Sequence, residues 1–221
     1  GTILRWEYVE GSWEWRPDLP PPVTVDRQHR LWLGDANGAV VMDRGEVKRI
    51  PEMQIPLVED GQGVVWSAGR TGVVRWVEGR IESVPPAECG FERLHSGVAD
   101  ASGVVWFHGK GHDGASVLAG FSQRGWRVYD AQALRNRTVL SLARDDRKGT
   151  WAVLSDTQTS AYEIVSLSIE GMVSVPIDGA KPSIRRPRLC ASGTHLYLYG
   201  YNGLWESSVG EPLSFSKVGA E

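Results

Sequence analysis

A tryptophan returns along this chain at Trp32, Trp66, Trp106 and Trp151, with Tyr197 in the fifth place, at intervals of 34, 40, 45 and 46 residues. Six residues before each tryptophan stands an aspartate, namely Asp26, Asp60, Asp100 and Asp145, while the fifth copy has Ala191 there. Four agreements at one offset mark an internal repeat of about 40 residues. A unit that short cannot bury its apolar surface alone, so neighbouring copies must stack.

Each copy parses into short strands. The second reads PLVED, GVVWSA, GVVRWV and RIESVP, separated by D-x-x-G, AGRTG and EG turns. The Asp carboxylate is expected to accept backbone N–H bonds from the turn ahead of it. Gly63 and Gly103 are expected to take a positive φ there. His29 and Lys148 hold that place in the first and fourth copies, so those two turns are expected to differ.

The strands are apolar on consecutive residues, as in VVW and GVVRWV, which means that both faces are covered. Four-stranded antiparallel sheets, covered on both faces and repeated at about 40 residues, are the blades of a β-propeller. The tryptophans are therefore read as core, large flat side chains filling the gap between adjacent blades. The aspartates are read as structural, because equivalent positions in successive blades point to separate outer edges and do not converge on a cation.

Composition points the same way. The 10 Trp, 26 Gly and 12 Pro favour strands and turns. No segment holds a helical apolar period across three turns; the nearest, 132–144, reads equally well as strand. The expected class is all-β, a β-propeller of four-stranded antiparallel blades in one domain over 1–221. Five full blades cover 21–53, 54–95, 96–138, 139–185 and 186–221, after an N-terminal half blade over 1–20, giving six blade positions. An incomplete blade exposes strand edges. Three outcomes stay open: a piece of a longer propeller, a partner supplying the missing strands, or the N-terminal half folding back on the fifth blade.

A net charge of −3, with both signs mixed throughout, argues against a general nucleic-acid binder. No apolar run approaches the roughly 20 residues of a membrane helix. The chain starts without Met and lacks the pattern of a signal peptide, so a processed or trimmed product is expected and its location stays open. Cys89 and Cys190 read as two buried thiols, too few for a disulfide scaffold or a zinc site, and whether they pair stays open.

The pattern D-x-x-G-x-[VL]-W followed by G-[VL]-x-R stands here as DGQGVVWSAGRTGVVRW and DASGVVWFHG, and more loosely as DRQHRLWLGDANGAVV. It resembles the two-component regulator propeller repeat over nearly the whole chain. The resemblance implies the fold, and a family often found in the sensing portions of bacterial signalling proteins. Its matching residues are structural and imply no ligand. Streptogramin-lyase-like and WD40 propellers are looser likenesses, and the GH…WD signature of the latter is missing.

With blade strands lettered a to d, the a–b and c–d turns emerge on one rim and the b–c and d–a connections on the other. The first set is short and nearly constant; the second varies, as in HGKGHDG, SDTQTSA, PPAECGFERLHSG, DAQALRNRT and PIDGAKPSIRRP. Variable loops on a regular scaffold gather binding residues, which places any site on the b–c/d–a rim, near the central channel. The candidates are Arg70 in AGRTG, His108, Lys110 and His112 in HGKGHDG, Arg135 and Arg137, Arg185 and Arg186, and Tyr201 with Asn202.

Arg forks suit carboxylate, sulfate or phosphate partners, and Tyr201 beside Asn202 suits a sugar or a peptide ring. His108, His112 and Asp113 carry metal-ligating groups, but on a Gly-rich loop with no helix to align them. The bland readings are solvated loop residues. His29 and His95 read as turn residues, and His195 as packed. Neither a metal nor a cofactor is expected.

No nucleophile–base pair, paired carboxylate or phosphate loop can be defended, so the leading reading is a non-enzymatic module binding a protein or peptide on this rim. The alternative is a lectin-like, carbohydrate-binding propeller, which predicts exposed aromatics on several blades. Third stands a lyase or hydrolase centred on His108 and His112, which requires the two to meet a carboxylate within about 3–4 Å.

Overall fold

The computed structural model describes residues 6–9, 12–15, 22–35, 37–70, 72–100, 102–145, 149–156, 158–159, 161–178, 181–210 and 212–219. The chain divides into two compact units, Gly1–Pro85 and Pro86–Glu221. The first opens with an antiparallel hairpin of β1 (Trp6–Val9) and β2 (Ser12–Trp15). Blade one follows as β3 (Pro22–Val25), β4 (Leu31–Asp35), β5 (Gly38–Asp43) and β6 (Glu46–Ile50). Blade two is β7 (Ile55–Glu59), β8 (Val65–Ala68), β9 (Val73–Val77) and β10 (Arg80–Val84).

The second unit begins with α1 (Pro86–Cys89), a single turn. Blade three is β11 (Arg93–Ala99), β12 (Val105–Lys110), β13 (Ser116–Ser122) and β14 (Gly125–Tyr129). Blade four is β15 (Arg137–Arg144), β16 (Thr150–Asp156), β17 (Tyr162–Ser168) and β18 (Gly171–Ser174). After β19 (Ile177–Asp178), blade five takes β20 (Arg188–Ser192), β21 (His195–Gly200), β22 (Gly203–Ser208) and, past β23 (Leu213–Ser214), β24 (Ser216–Lys217). β19 and β23 pair in parallel.

Five antiparallel four-stranded sheets preceded by a two-stranded one match the expected blades and half blade. Blade three starts at Arg93 and not Ser96, because its first strand extends through a bulge. The stretch from 132 contains no helix: it is a turn ending with Arg135 and Asn136 at φ of 53° and 57°, and β15 follows. Cys89 is buried as expected, but Cys190 is exposed on β20. Among the described residues no helix is long and apolar enough to cross a membrane.

The aspartate repeat is a clamp with two jaws. In blade one, Asp26 Oδ1 accepts the backbone N–H groups of Gln28 and Arg30, each at 2.9 Å. Its other oxygen accepts the Trp32 indole N–H at 2.8 Å. Asp60 repeats this with Gln62, Val64 and Trp66, and Asp145 with Gly149 and Trp151. Each clamp is buried and closes the a–b turn onto its own blade. The six-residue spacing is therefore a hydrogen bond that fixes the indole in one orientation. Blade three departs from it. Asp100 still holds the N–H groups of Ser102 and Val104, but the buried Trp106 indole N–H has no partner. Its ring lies over Gly120 instead, where a Cβ would sit 2.9 Å from it, and is stacked with Tyr129 at 6.4 Å.

His29 makes the same turn as the glycines, contrary to expectation. Its N–H bonds Asp26 O at 2.9 Å, as Gly63 bonds Asp60 O at 3.2 Å and Gly103 bonds Asp100 O at 3.4 Å. It takes a φ of 61° to do so, beside 83° and 88° for the two glycines. Lys148 lies outside the described residues. A side chain in the left-handed region costs about 1–2 kcal/mol, part of which glycine returns through its freer unfolded chain. His29→Gly is expected to stabilise the first unit by about 0.5–1 kcal/mol, read as a higher midpoint in urea.

The cores lie between blades. Trp32 packs with Val65, Val74 and Trp76 between blades one and two. Trp106 packs with Val139, Leu142 and Leu154 between blades three and four, and Trp151 with Leu189, Leu196 and Leu198 between four and five. The tryptophans thus act as spacers between stacked sheets, which is why the strands are apolar on both faces. First strands of the second unit are also tied directly: Arg144 Nη1 donates to Ala99 O at 2.8 Å, and the Leu189 N–H to Ser141 Oγ at 2.9 Å.

Candidate functional site

In the second unit, the rim carrying the b–c and d–a connections holds a cleft of about 780 Å³ between blades four and five, lined by Arg185, Arg186, Tyr201, Leu140, Ser155 and Thr159 among others. Asn202 builds it. Its Nδ2 donates to Ser183 O at 2.6 Å, and its Oδ1 accepts the Arg185 N–H at 3.2 Å, so the arginine segment is pinned to the b–c turn of blade five. Arg186 is held at a φ of 52°, a conformation that side chains adopt at a cost when surroundings impose it. Its guanidinium lies 5.8 Å from the centre of the Tyr201 ring, and Tyr201 is 78% exposed. Among the described residues neither arginine forms an ion pair, and although Arg186 Nη1 donates to the Tyr201 hydroxyl at 3.4 Å, both guanidinium groups keep donors for an anionic or carbonyl-bearing ligand.

Arg135 and Arg137 do not join that cleft. They line another, of about 440 Å³, between blades three and four, with Arg127, Tyr129 and Glu163. Arg137 is occupied there by an ion pair with Glu163 and by a bond from its Nε to Leu134 O at 3.0 Å. Burial, and then the charge of Arg135, lower its pKa against the opposing pull of Asp156. Arg70 is exposed in the turn between β8 and β9 of the first unit.

HGKGHDG is not the loop it resembles. His108 and Lys110 belong to β12, and His108 is 4% exposed. His112 is exposed in the following turn, its Nδ1 3.3 Å from Glu92 Oε1. Asp113 accepts the Ala115 N–H at 2.8 Å and so closes its own turn. Among the described residues no group of three His, Cys, Asp or Glu is placed to hold a metal ion, and the His108–His112 centre is not assembled.

His108 lies beside a residue that reads from sequence as a turn histidine. His95 is the bulged residue of β11, and the two rings meet edge to face at 5.6 Å. Burial first, then the charges of His95, Arg188 and Lys110, push the His108 pKa down to about 4. Its Nδ1 has no partner. Burial and three cations also lower the pKa of His95. The first unit has a further cleft of about 490 Å³ on its other rim, formed by Gln28, Gln62, Trp76 and Glu78 among others. Its residues sit in the turns of constant length, which carry no sequence signal of a site.

Among the residues whose side chains are described, the exposed large aromatics are Tyr199 and Tyr201, both on blade five, while Trp32, Trp66, Trp76, Trp106 and Trp151 are buried. The extracellular domain of the hybrid two-component system BT3049 from B. thetaiotaomicron matches 90% of this chain with a TM-score of 0.61 at 12% identity. The fold is a β-propeller. A second similar structure, the extracellular domain of the hybrid two-component system BT4673 from the same organism, matches 88% of this chain with a TM-score of 0.53 at 18% identity. This propeller chain spans only 28% and 29% of those two chains. Both neighbours are extracellular portions of two-component systems, in line with the regulator-type repeat in the sequence. No protein-family model matches the sequence, and no curated protein does.

Proposed function

We propose that this propeller is a non-enzymatic binding module that recognises a protein or peptide partner on its b–c/d–a rim, seated in the cleft between blades four and five. The observation that carries this reading is that two arginines without an ion pair among the described residues stand beside an exposed tyrosine, on a segment pinned by Asn202. Arginine and tyrosine are the side chains that dominate protein recognition, because each offers a large contact area with a polar end. A segment docking alongside the two-stranded β1–β2 sheet is a second mode by which a partner would engage.

Selection from a displayed peptide library, followed by titration of the selected peptide, tests the reading. Arg185→Glu with Arg186→Glu is expected to weaken binding at least about tenfold, close to 1.4 kcal/mol. A chain that selects no peptide but retains an oligosaccharide from a glycan array, with loss on Tyr201→Ala, would establish the lectin-like alternative instead.

A further inference from the structure

Blade three differs from blade four in a way that folding does not demand. On its first two strands Arg93 lies directly opposite Lys110, His108 lies opposite Ser96, and His95 occupies the bulge between Leu94 and Ser96. Blade four repeats this register, bulge included: Thr138 lies opposite Ser155, Val153 opposite Ser141, and Leu140 occupies the bulge. Four basic side chains thus stand where the neighbouring blade has four neutral ones.

Each departure is unfavourable by itself. Like charges directly across a strand pair repel. A buried imidazole with an unpartnered nitrogen forgoes the bonds it made in water, and His108 is such a group. Blade four shows that the architecture is complete without either feature.

A third cation, after Arg93 and Lys110, converges on the same end of these strands. Arg188 opens the first strand of blade five, and its guanidinium donates to the carbonyl of Leu140, the bulge residue of blade four. Its charge opposes protonation of both His95 and His108, as does that of Lys110. Every charge acting on these two imidazoles is positive. Glu92, which precedes Arg93, faces His112 instead. Among the described residues Arg93, Lys110 and Arg188 form no ion pair. Arg93, His95 and Arg188 are exposed and Lys110 is half-buried, so the cluster is open to solvent.

We propose that Arg93, His95, His108, Lys110 and Arg188 form a binding site for an oxyanion, a carboxylate, sulfate or phosphate group carried by a ligand. Two guanidinium forks and an ammonium supply charge-assisted bonds, and His95 occupies a bulge that recurs in blades one, two and four, so its imidazole and not the bulge is what sets blade three apart. An anion would relieve the Arg93–Lys110 repulsion and favour protonation of the imidazoles. The site involves other side chains than the Arg185–Arg186–Tyr201 cleft and does not depend on that cleft holding a peptide.

The test is calorimetric titration with tripolyphosphate, and separately with a Glu-rich peptide, in 150 mM salt, alongside imidazole NMR signals of His95 and His108. Arg93→Thr with Lys110→Ser installs the pair that blade four already uses. This variant is expected to bind the anion at least tenfold more weakly while its thermal midpoint without anion is unchanged or higher. Arg185→Glu with Arg186→Glu is expected to keep the binding. Tighter binding of the peptide than of tripolyphosphate supports the same site with carboxylate as its ligand. Equal affinity in the Arg93/Lys110 variant, loss in the Arg185/Arg186 variant alone, or imidazole signals unmoved by either anion would overturn the proposal. So would a lowered midpoint of the anion-free Arg93/Lys110 variant, which would assign the pair to the fold.

Discussion

Asp145→Asn is expected to destabilise the second unit by about 2–4 kcal/mol, while Asp100→Asn costs less than about 1 kcal/mol. The two carboxylates occupy the same place in adjacent blades and differ in one bond. Asp145 accepts the Trp151 indole N–H at 2.7 Å on one oxygen and the Gly149 N–H at 2.8 Å on the other. An asparagine keeps one acceptor for the turn but presents an NH₂ to the indole, donor against donor, at a site where Asp145 is 1% exposed. Asp100 spends one oxygen on the turn N–H groups and the Ser102 hydroxyl, and no indole sits on the other. Urea denaturation followed by circular dichroism reads both midpoints. Equal losses would show that the turn bonds alone, and not the indole bond, hold the clamp.

Acid probes the same clamp in blade one. Burial by itself would raise the pKa of Asp26, but bonds from Trp32 and from the backbone and guanidinium of Arg30, together with the charge of Arg30, outweigh it and leave the carboxyl below the ordinary 3.8. A carboxyl lowered in the folded state contributes fully above its unfolded pKa, and that contribution is lost as pH falls through the folded one. Asp26 therefore belongs to the last acid transition, below about pH 4.

How much of this was legible follows from what each residue type has to do. The tryptophan and aspartate repeat was legible because its job recurs in the first four blades: Asp26, Asp60, Asp100 and Asp145 close turns, and spacing exposes that. The second jaw of the clamp was visible as a constant offset of six residues, with no indication that it was a hydrogen bond. HGKGHDG misled because glycine has two uses. Gly109 is not in a turn; it lies in β12, where a Cβ would meet Arg93 O at 2.1 Å, so it permits a close approach of two strands. Read as punctuation, it moved His108 from a buried strand into a loop. The basic cluster was illegible for another reason. Arg93, His95 and Arg188 are nearly 100 residues apart at the extremes, and only the register of β11 with β12 and the bond of Arg188 on β20 to Leu140 on β15 bring them together. A bulge cannot be read from one strand, because it is a property of the pair.

The acid sensitivity of the second unit should fall away in His108→Val. Above the ordinary histidine value of 6.5 both folded and unfolded chains hold His108 neutral. As pH falls through 6.5 the unfolded chain takes up a proton, while the folded protein resists until about pH 4. Stability is therefore lost across that window and levels off below it, the sign expected for a buried histidine kept neutral. The span of about 2.5 pH units, at about 1.4 kcal/mol each, amounts to about 3 kcal/mol. Valine already fills the equivalent place in blade four as Val153, which is fully buried, so the substitution is expected to be near neutral at pH 7.5 and to gain about 2 kcal/mol relative to the parent at pH 5. Burial sets most of the effect, and the charges that add to it are those of His95 on β11, Arg188 on β20 and Lys110 on β12 itself, while Arg93 acts on His95. Urea midpoints of parent and variant at the two pH values decide it: parallel losses in both would place the acid transition elsewhere. Tripolyphosphate should lessen the parent's loss and leave the variant's profile unchanged, since an anion among those cations offsets their charges while burial, the larger cause, stays in place.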